Sequence, residues 1–90
     1  MKADYKKIRR KLNIAIGQLN AVSNMVDNDK YCVDISMQLL AVISALKGIN
    51  KDILNAHLKS CVVNAIKGGK QDEIDIKIDE VMNVLTKMLK

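Results

Sequence analysis

Proline, phenylalanine and tryptophan are absent from this chain of 90 residues, and two tyrosines are its only aromatic side chains. No position therefore has the locked backbone angle with which proline interrupts a helix. The apolar fraction is 49%, and it comes almost entirely from Ile, Val, Leu, Ala and Met, a mixture that favours helices. Because a chain this short builds one modest core, we expect a single helical domain over residues 1–90 that gains stability from oligomerisation.

The N-terminus also lacks the apolar run of a signal peptide, and we expect no stretch to reach the roughly 18 apolar residues of a membrane span. We therefore expect a cytoplasmic protein with no membrane partner. In a reducing compartment, its two cysteines are free thiols, metal ligands or redox sensors rather than a structural disulfide. A net charge of +5 admits nucleic acid as a partner. Motifs for an enzyme are missing, since the chain has no nucleophile elbow, paired-carboxylate motif or phosphate-cradling loop.

Three segments place apolar residues at alternating spacings of three and four, which is the pattern of amphipathic helices. The first segment carries Tyr5, Ile8, Leu12, Ala15, Leu19, Val22 and Val26. The second carries Ile35, Leu39, Val42, Leu46, Ile49 and Ile53. The third carries Ile74, Ile78, Val81, Leu85 and Met88. The sequence therefore predicts three helices.

Polar and glycine residues predict where these helices end. The first is expected to stop at the run 27–29, where Asp29 or a neighbour caps the next helix. The second is expected to run from about Lys30 to Lys67 and to continue through Gly48, since one glycine costs a helix about 1 kcal/mol. It ends where Gly68 or Gly69 takes the left-handed conformation of a helix C-terminus.

The stretch AHLKSCV places His57 and Cys61 one helical turn apart, and the other cysteine is Cys32. On a continuous helix Cys32 and His57 lie about 37 Å apart at roughly 1.5 Å per residue, so they cannot meet within one chain. If two such helices pair antiparallel about a two-fold axis, Cys32 of one chain lies beside His57 and Cys61 of the other. A helical hairpin bent at Gly48 would instead bring them together within one chain.

Two thiolates and one imidazole form a soft, three-coordinate ligand set. Cu(I) prefers such a set, whereas structural zinc usually takes four protein ligands. The alternative is that Cys32 and Cys61 are small hydrophobic residues and that His57 is an ordinary polar side chain.

The pattern GQLNAVSNMVDNDKYCVDISMQLLAVISAL, followed by AHLKSCVVNAI, resembles the copper-sensitive operon repressor family, CsoR/RcnR. The matching positions are Gly17, Gln18, Tyr31, Cys32, Asp34, Gln38, Ala41, Val42, His57 and Cys61. The resemblance implies an all-α protein with a three-helix protomer, an antiparallel four-helix-bundle homodimer and a homotetramer built as a dimer of dimers. It also implies a repressor that binds operator DNA and releases it on metal binding.

The same resemblance implies which signal is sensed. In that family a Cys, His, Cys set marks the Cu(I) sensors, here Cys32, His57 and Cys61. Nickel and cobalt sensors carry histidine at the last position and a further N-terminal histidine, and this chain has neither. Persulfide sensors keep both cysteines and lose the histidine, so a thiol- or persulfide-sensing repressor is the alternative. A copper-storage or structural helical oligomer without DNA binding stays open as well.

Two further side chains match residues that surround the ligand histidine in the family's copper sensors. Tyr31 matches the tyrosine, and Glu80 matches the glutamate if the connection before the third helix carries an insertion. Without that role, Glu80 is a solvated helix charge and Tyr31 packs at the start of its helix.

The DNA-binding residues depart from the family pattern. Members of the family carry arginines around the Gly-Gln motif, where this chain has Ile14, Ile16 and Asn20. Candidates for phosphate contacts lie elsewhere, at Lys6, Lys7, Arg9, Arg10, Lys11, Lys47 and Lys51. A tetramer that repeats these residues would bind phosphates through counterion release, and the alternative is a solvated basic face.

Overall fold

The computed structural model describes residues 1–68 and 70–89, which form three helices, α1 Tyr5–Asp27, α2 Cys32–Ile66 and α3 Gln71–Met88. The predicted all-α class and three-helix protomer are confirmed. Helix α2 continues through Gly48, so the predicted continuous helix is also confirmed and the hairpin bent at Gly48 is wrong.

Helix α1 begins at a side-chain cap. The carboxylate of Asp4 accepts hydrogen bonds from the backbone N–H groups of Lys6, at 3.0 Å, and Lys7, at 3.5 Å. These two donors have no partner within the helix, so Asp4 stabilises the first turn of α1.

The end of α1 corrects the predicted role of Asp29. Its backbone lies in the left-handed region with φ 52°, and its N–H donates to the carbonyl of Val26 at 3.1 Å. The N–H of Lys30 donates to the carbonyl of Met25 at 3.0 Å, which completes a Schellman motif. Asp29 therefore terminates α1, and it is the carbonyl of Tyr31 that accepts the first hydrogen bond of α2, from Ile35 at 3.1 Å.

Gly68 lies just beyond the end of α2 and has φ 98°. Glycine adopts this backbone conformation without the steric cost that a Cβ atom brings. The predicted left-handed conformation at Gly68 is confirmed, and Gly69 lies outside the described residues.

The chain divides into two compact units, Asp4–Asn50 and Met1–Ala3 with Lys51–Lys90, and α2 contributes to both. The unit Asp4–Asn50 buries apolar residues at seven-residue intervals, Ile8, Ala15 and Val22 on α1 and Val42 and Ile49 on α2. The other unit buries Cys61 on α2 and Ile74 and Val81 on α3. That the whole chain acts as one domain stays a prediction.

In the unit Asp4–Asn50, the other row of each apolar seam is largely exposed, although Leu12 in that row of α1 is half-buried. Leu19 and Val26 on α1 are 50% and 57% exposed, and Leu39 and Leu46 on α2 are 40% and 47% exposed. One protomer therefore buries only half of the two seams, and the remaining half needs another apolar surface to cover it.

Helix α2 also corrects the expectation about membrane spans. By length and composition alone, its stretch Cys32–Asn64 is apolar enough to cross a membrane, and only 11% of its most apolar window is buried in the protomer. The expectation that no stretch reaches a membrane span is therefore wrong. A helix at the centre of a water-soluble oligomer has the same composition, because it too is covered by apolar surface on several sides.

Candidate metal centre

His57 and Cys61 lie on the same face of α2, one turn apart, in the unit that contains Lys51–Lys90. Residues four apart on a helix are neighbours on its surface, so both side chains can bind one ligand. Cys61 is a free thiol and is 4% exposed, whereas His57 is half-buried. The pair therefore offers one soft sulfur donor in the core and one imidazole nearer the solvent.

An open groove of about 260 Å³ lies at His57. Glu80 and Val81 of α3 line it, together with Met1 and Lys2 from the N-terminal segment of the same unit. The structure thus brings Glu80 to the groove that contains the imidazole. A carboxylate in this position can accept the second ring N–H of a ligating histidine.

A second, smaller pocket of about 40 Å³ lies at Cys61. It is lined by Lys70 at the N-cap of α3 and by Glu73, Ile74 and Lys77 within α3. Sequence reasoning missed its three charged residues as neighbours of the thiol. The spacing of Glu73 and Lys77 places them on one face of α3 beside Ile74. That spacing groups the two residues, but it does not show that the group faces Cys61.

Cys32 is the first residue of α2 and is an exposed free thiol. Tyr31 precedes it and is 68% exposed. Among residues 1–68 and 70–89 of one chain, no three His, Cys, Asp or Glu side chains are grouped so that they could hold a metal ion. The structure brings His57 and Cys61 together but does not add Cys32 to them within a single chain.

The candidate DNA contacts differ in how exposed they are and in where they lie. Lys6, Arg9 and Arg10 share one exposed face of α1 with Tyr5, whose ring centre lies 5.9 Å from the Arg9 guanidinium carbon. Lys7, Lys47 and Lys51 are exposed as well. Lys11 is half-buried in a groove that Ser44 and Ala45 of α2 also line. Lys6, Arg9 and Arg10 therefore form one continuous cationic face of α1.

The Gly-Gln motif lies in the middle of α1. A Cβ atom at Gly17 would meet nothing within 4 Å, so no contact within the described protomer requires glycine there. The Oε1 atom of Gln18 is buried without a hydrogen-bond partner in the part of the chain that the structure describes. Buried acceptors normally accept a hydrogen bond from a protein group or from an ordered water.

Comparison with known proteins gives one family match and several relatives. Residues 4–87 match the family described as metal-sensitive transcriptional repressor. The copper-sensing transcriptional repressor CsoR of Bacillus subtilis is 38% identical over 84 residues, which cover 93% of this chain and 80% of that protein. The copper-sensing transcriptional repressor RicR of Mycobacterium tuberculosis is 37% identical over 68 residues, 76% of this chain and 68% of that protein.

Two solved structures are similar along most of the chain. The copper-sensing repressor CsoR with Cu(I) from Geobacillus thermodenitrificans NG80-2 has a TM-score of 0.79 and 29% identity, over 94% of this chain and 85% of that one. The nickel-responsive transcriptional regulator InrS has a TM-score of 0.86 and 23% identity, over 92% and 93%. At that identity, the likeness to InrS carries the fold alone.

Proposed function

Since the chain belongs to the metal-sensitive transcriptional repressor family, which is the CsoR/RcnR family, we propose that it is a copper(I)-responsive repressor. Membership of this family makes the protein a repressor and not an enzyme. In this proposal the apo protein binds operator DNA in the cytoplasm and releases it when Cu(I) binds between two subunits. The observation that carries the proposal is that one chain supplies the His57–Cys61 pair but not a complete metal site among its described residues.

The donor set supports Cu(I) over other metals. Cys32 of one subunit and His57 and Cys61 of another would hold the ion, and two thiolates with one imidazole suit a soft d10 cation. When bound, Cu(I) supplies a bridge between the two chains. The names of the relatives CsoR and RicR, which are called copper-sensing, favour the same metal.

The exposed rows of the α1 and α2 seams support the dimer that this site needs. A second copy that covers Leu19, Val26, Leu39 and Leu46 would complete an antiparallel four-helix bundle. It would also cover the apolar surface of Cys32–Asn64 without a membrane. We infer that two such dimers form a tetramer, which repeats the basic faces along the DNA.

Around the ligand histidine, we propose that Glu80 accepts the ring N–H that faces away from the metal and fixes the ring orientation. Its place in the groove at His57 supports this role. Tyr31 adjoins Cys32 and would arrive with it from the partner subunit. Metal binding that favours the DNA-free conformation then weakens DNA binding by linkage, typically by about 1–3 kcal/mol.

A thiol- or persulfide-sensing repressor is the second candidate function. The exposure of the Cys32 thiol favours it, because oxidants and sulfane sulfur react with accessible thiols. Such chemistry requires both cysteines but not the imidazole. His57→Ala should therefore abolish the response of operator binding to Cu(I) and leave a response to polysulfide intact.

Mixed dimers test the intersubunit site. We expect a Cys32→Ala chain mixed with a His57→Ala/Cys61→Ala chain to regain one tight Cu(I) site per heterodimer, measured by competition with a chromogenic Cu(I) chelator. Each variant alone should bind weakly, because each lacks a ligand in both of its sites. A mixture that exchanges subunits but recovers no tight Cu(I) binding would show that the ligands do not come from two chains.

A further inference from the structure

Three charged side chains line the small pocket beside the buried Cys61. Lys70 and Lys77 are cationic and Glu73 is anionic, so together they carry one net positive charge. Their residues are exposed, and long side chains of this kind cover a pocket with their stems while the charged ends stay near water. Cys61 itself is 4% exposed and has little access to solvent.

The proposed copper complex places negative charge at this pocket. Two thiolates, one Cu(I) ion and a neutral imidazole carry one net negative charge, and both thiol protons leave to the solvent as the ion binds. Burying this negative complex is unfavourable unless positive charge lies close to it. The net charge of the pocket residues has the sign and the size that compensate it.

We propose that Lys70 and Lys77 are charge-compensating residues that strengthen Cu(I) binding at Cys61, and that Glu73 limits this effect. This inference rests on the proposed copper function. It assigns to α3 a part in metal affinity that is separate from Glu80, because Glu80 lines the groove at His57 and not the pocket at Cys61.

The test is a set of charge-neutralising variants whose Cu(I) affinity is measured by chelator competition at one pH and low salt. Lys70→Gln and Lys77→Gln should each weaken binding by about fivefold, the size expected for unit charges that remain near water. Glu73→Gln should tighten binding by a similar factor. Lys77→Arg should restore the wild-type affinity. At about 1 M salt the differences should shrink, because exposed charges are screened.

Lys87→Gln is the matched control, since Lys87 is an exposed lysine of α3 that does not line the pocket and lies ten residues beyond Lys77. It should leave the affinity unchanged. Wild-type Cu(I) affinity in both lysine variants would overturn the inference. Weaker Cu(I) binding in Glu73→Gln would also overturn it, because that result would come from a structural effect and not from charge. If the wild-type protein binds no Cu(I) tightly, the proposed function fails as well; tight wild-type binding with silent lysine variants overturns only the inference.

Discussion

Among single residues, Tyr31 and Glu80 are the side chains that we expect to couple the metal to DNA. Tyr31→Phe and Glu80→Gln remove a hydroxyl and a charge but leave Cys32, His57 and Cys61 in place. Both variants should still bind Cu(I), while the copper-induced loss of DNA affinity falls below the typical value of about 1–3 kcal/mol. In Glu80→Gln the ring N–H meets a neutral amide oxygen instead of a carboxylate, and in Tyr31→Phe the hydroxyl is removed from the surroundings of the imidazole. Titration of operator DNA with apo and copper-loaded protein, followed by fluorescence anisotropy, measures this.

Asp79→Asn is the control for Glu80→Gln, because Asp79 is an exposed acidic neighbour on α3 that does not line the groove at His57. It should keep the full response to copper. If Tyr31→Phe and Glu80→Gln also keep the full response, neither residue has the role that we assign to it.

Among the helices, α1 carries the basic face formed by Lys6, Arg9 and Arg10. Replacing all three by alanine should weaken DNA binding and flatten its dependence on salt, by roughly 0.9 in the log–log slope for each phosphate that is no longer neutralised. Affinity for Cu(I) should not change. DNA titrations at several salt concentrations give the slope.

Lys87→Ala, in the last turn of α3, controls for the loss of positive charge in general. An unchanged slope in the α1 triple variant would place the DNA surface elsewhere, and Lys47 and Lys51 are then the next residues to replace. Ile14 and Ile16, near the Gly-Gln motif of α1, are exposed and carry no charge, so they offer no phosphate contact in place of the three basic residues.

For the assembled protein, we expect the metal site to depend on contact between subunits. Leu46 lies in the exposed row of α2, so Leu46→Glu places a charge where we expect a second copy to bind. An unpaired buried charge costs about 3–5 kcal/mol, which should convert dimers and tetramers to monomers at micromolar concentration. Sedimentation velocity measures the mass, and chelator competition should show that tight Cu(I) binding is lost with it.

The neighbouring exposed residue provides the control, since Lys47→Glu changes charge on α2 without entering the apolar row. It should keep the wild-type mass. A Leu46→Glu protein that stays oligomeric would contradict the proposed dimer face, and one that is monomeric yet binds Cu(I) tightly would contradict the intersubunit site.

The three helices, the continuity of α2 through Gly48 and the pairing of His57 with Cys61 could all be predicted from the sequence. These features depend on spacings of three and four residues and on backbone preferences at glycine, which act within a few turns of one chain. The family also followed from the sequence, because its motifs lie at set intervals along α1 and α2. The sequence predicts Asp29 or a neighbour as the cap of α2, whereas Asp29 ends α1 with a left-handed backbone, a conformation that residues other than glycine adopt uncommonly.

Packing between the helices, in contrast, sets which row of each seam is buried in the protomer and what surrounds His57 and Cys61 on α2. Ile74 and Val81 of α3 pack in the core and set the register of this helix. That register places Glu80 in the groove at His57. It also places Lys70, Glu73 and Lys77 along the pocket at Cys61. Sequence periodicity shows which residues share a helix face, but it does not show how far one helix is shifted along another. That shift is set by the packing of side chains distant in sequence.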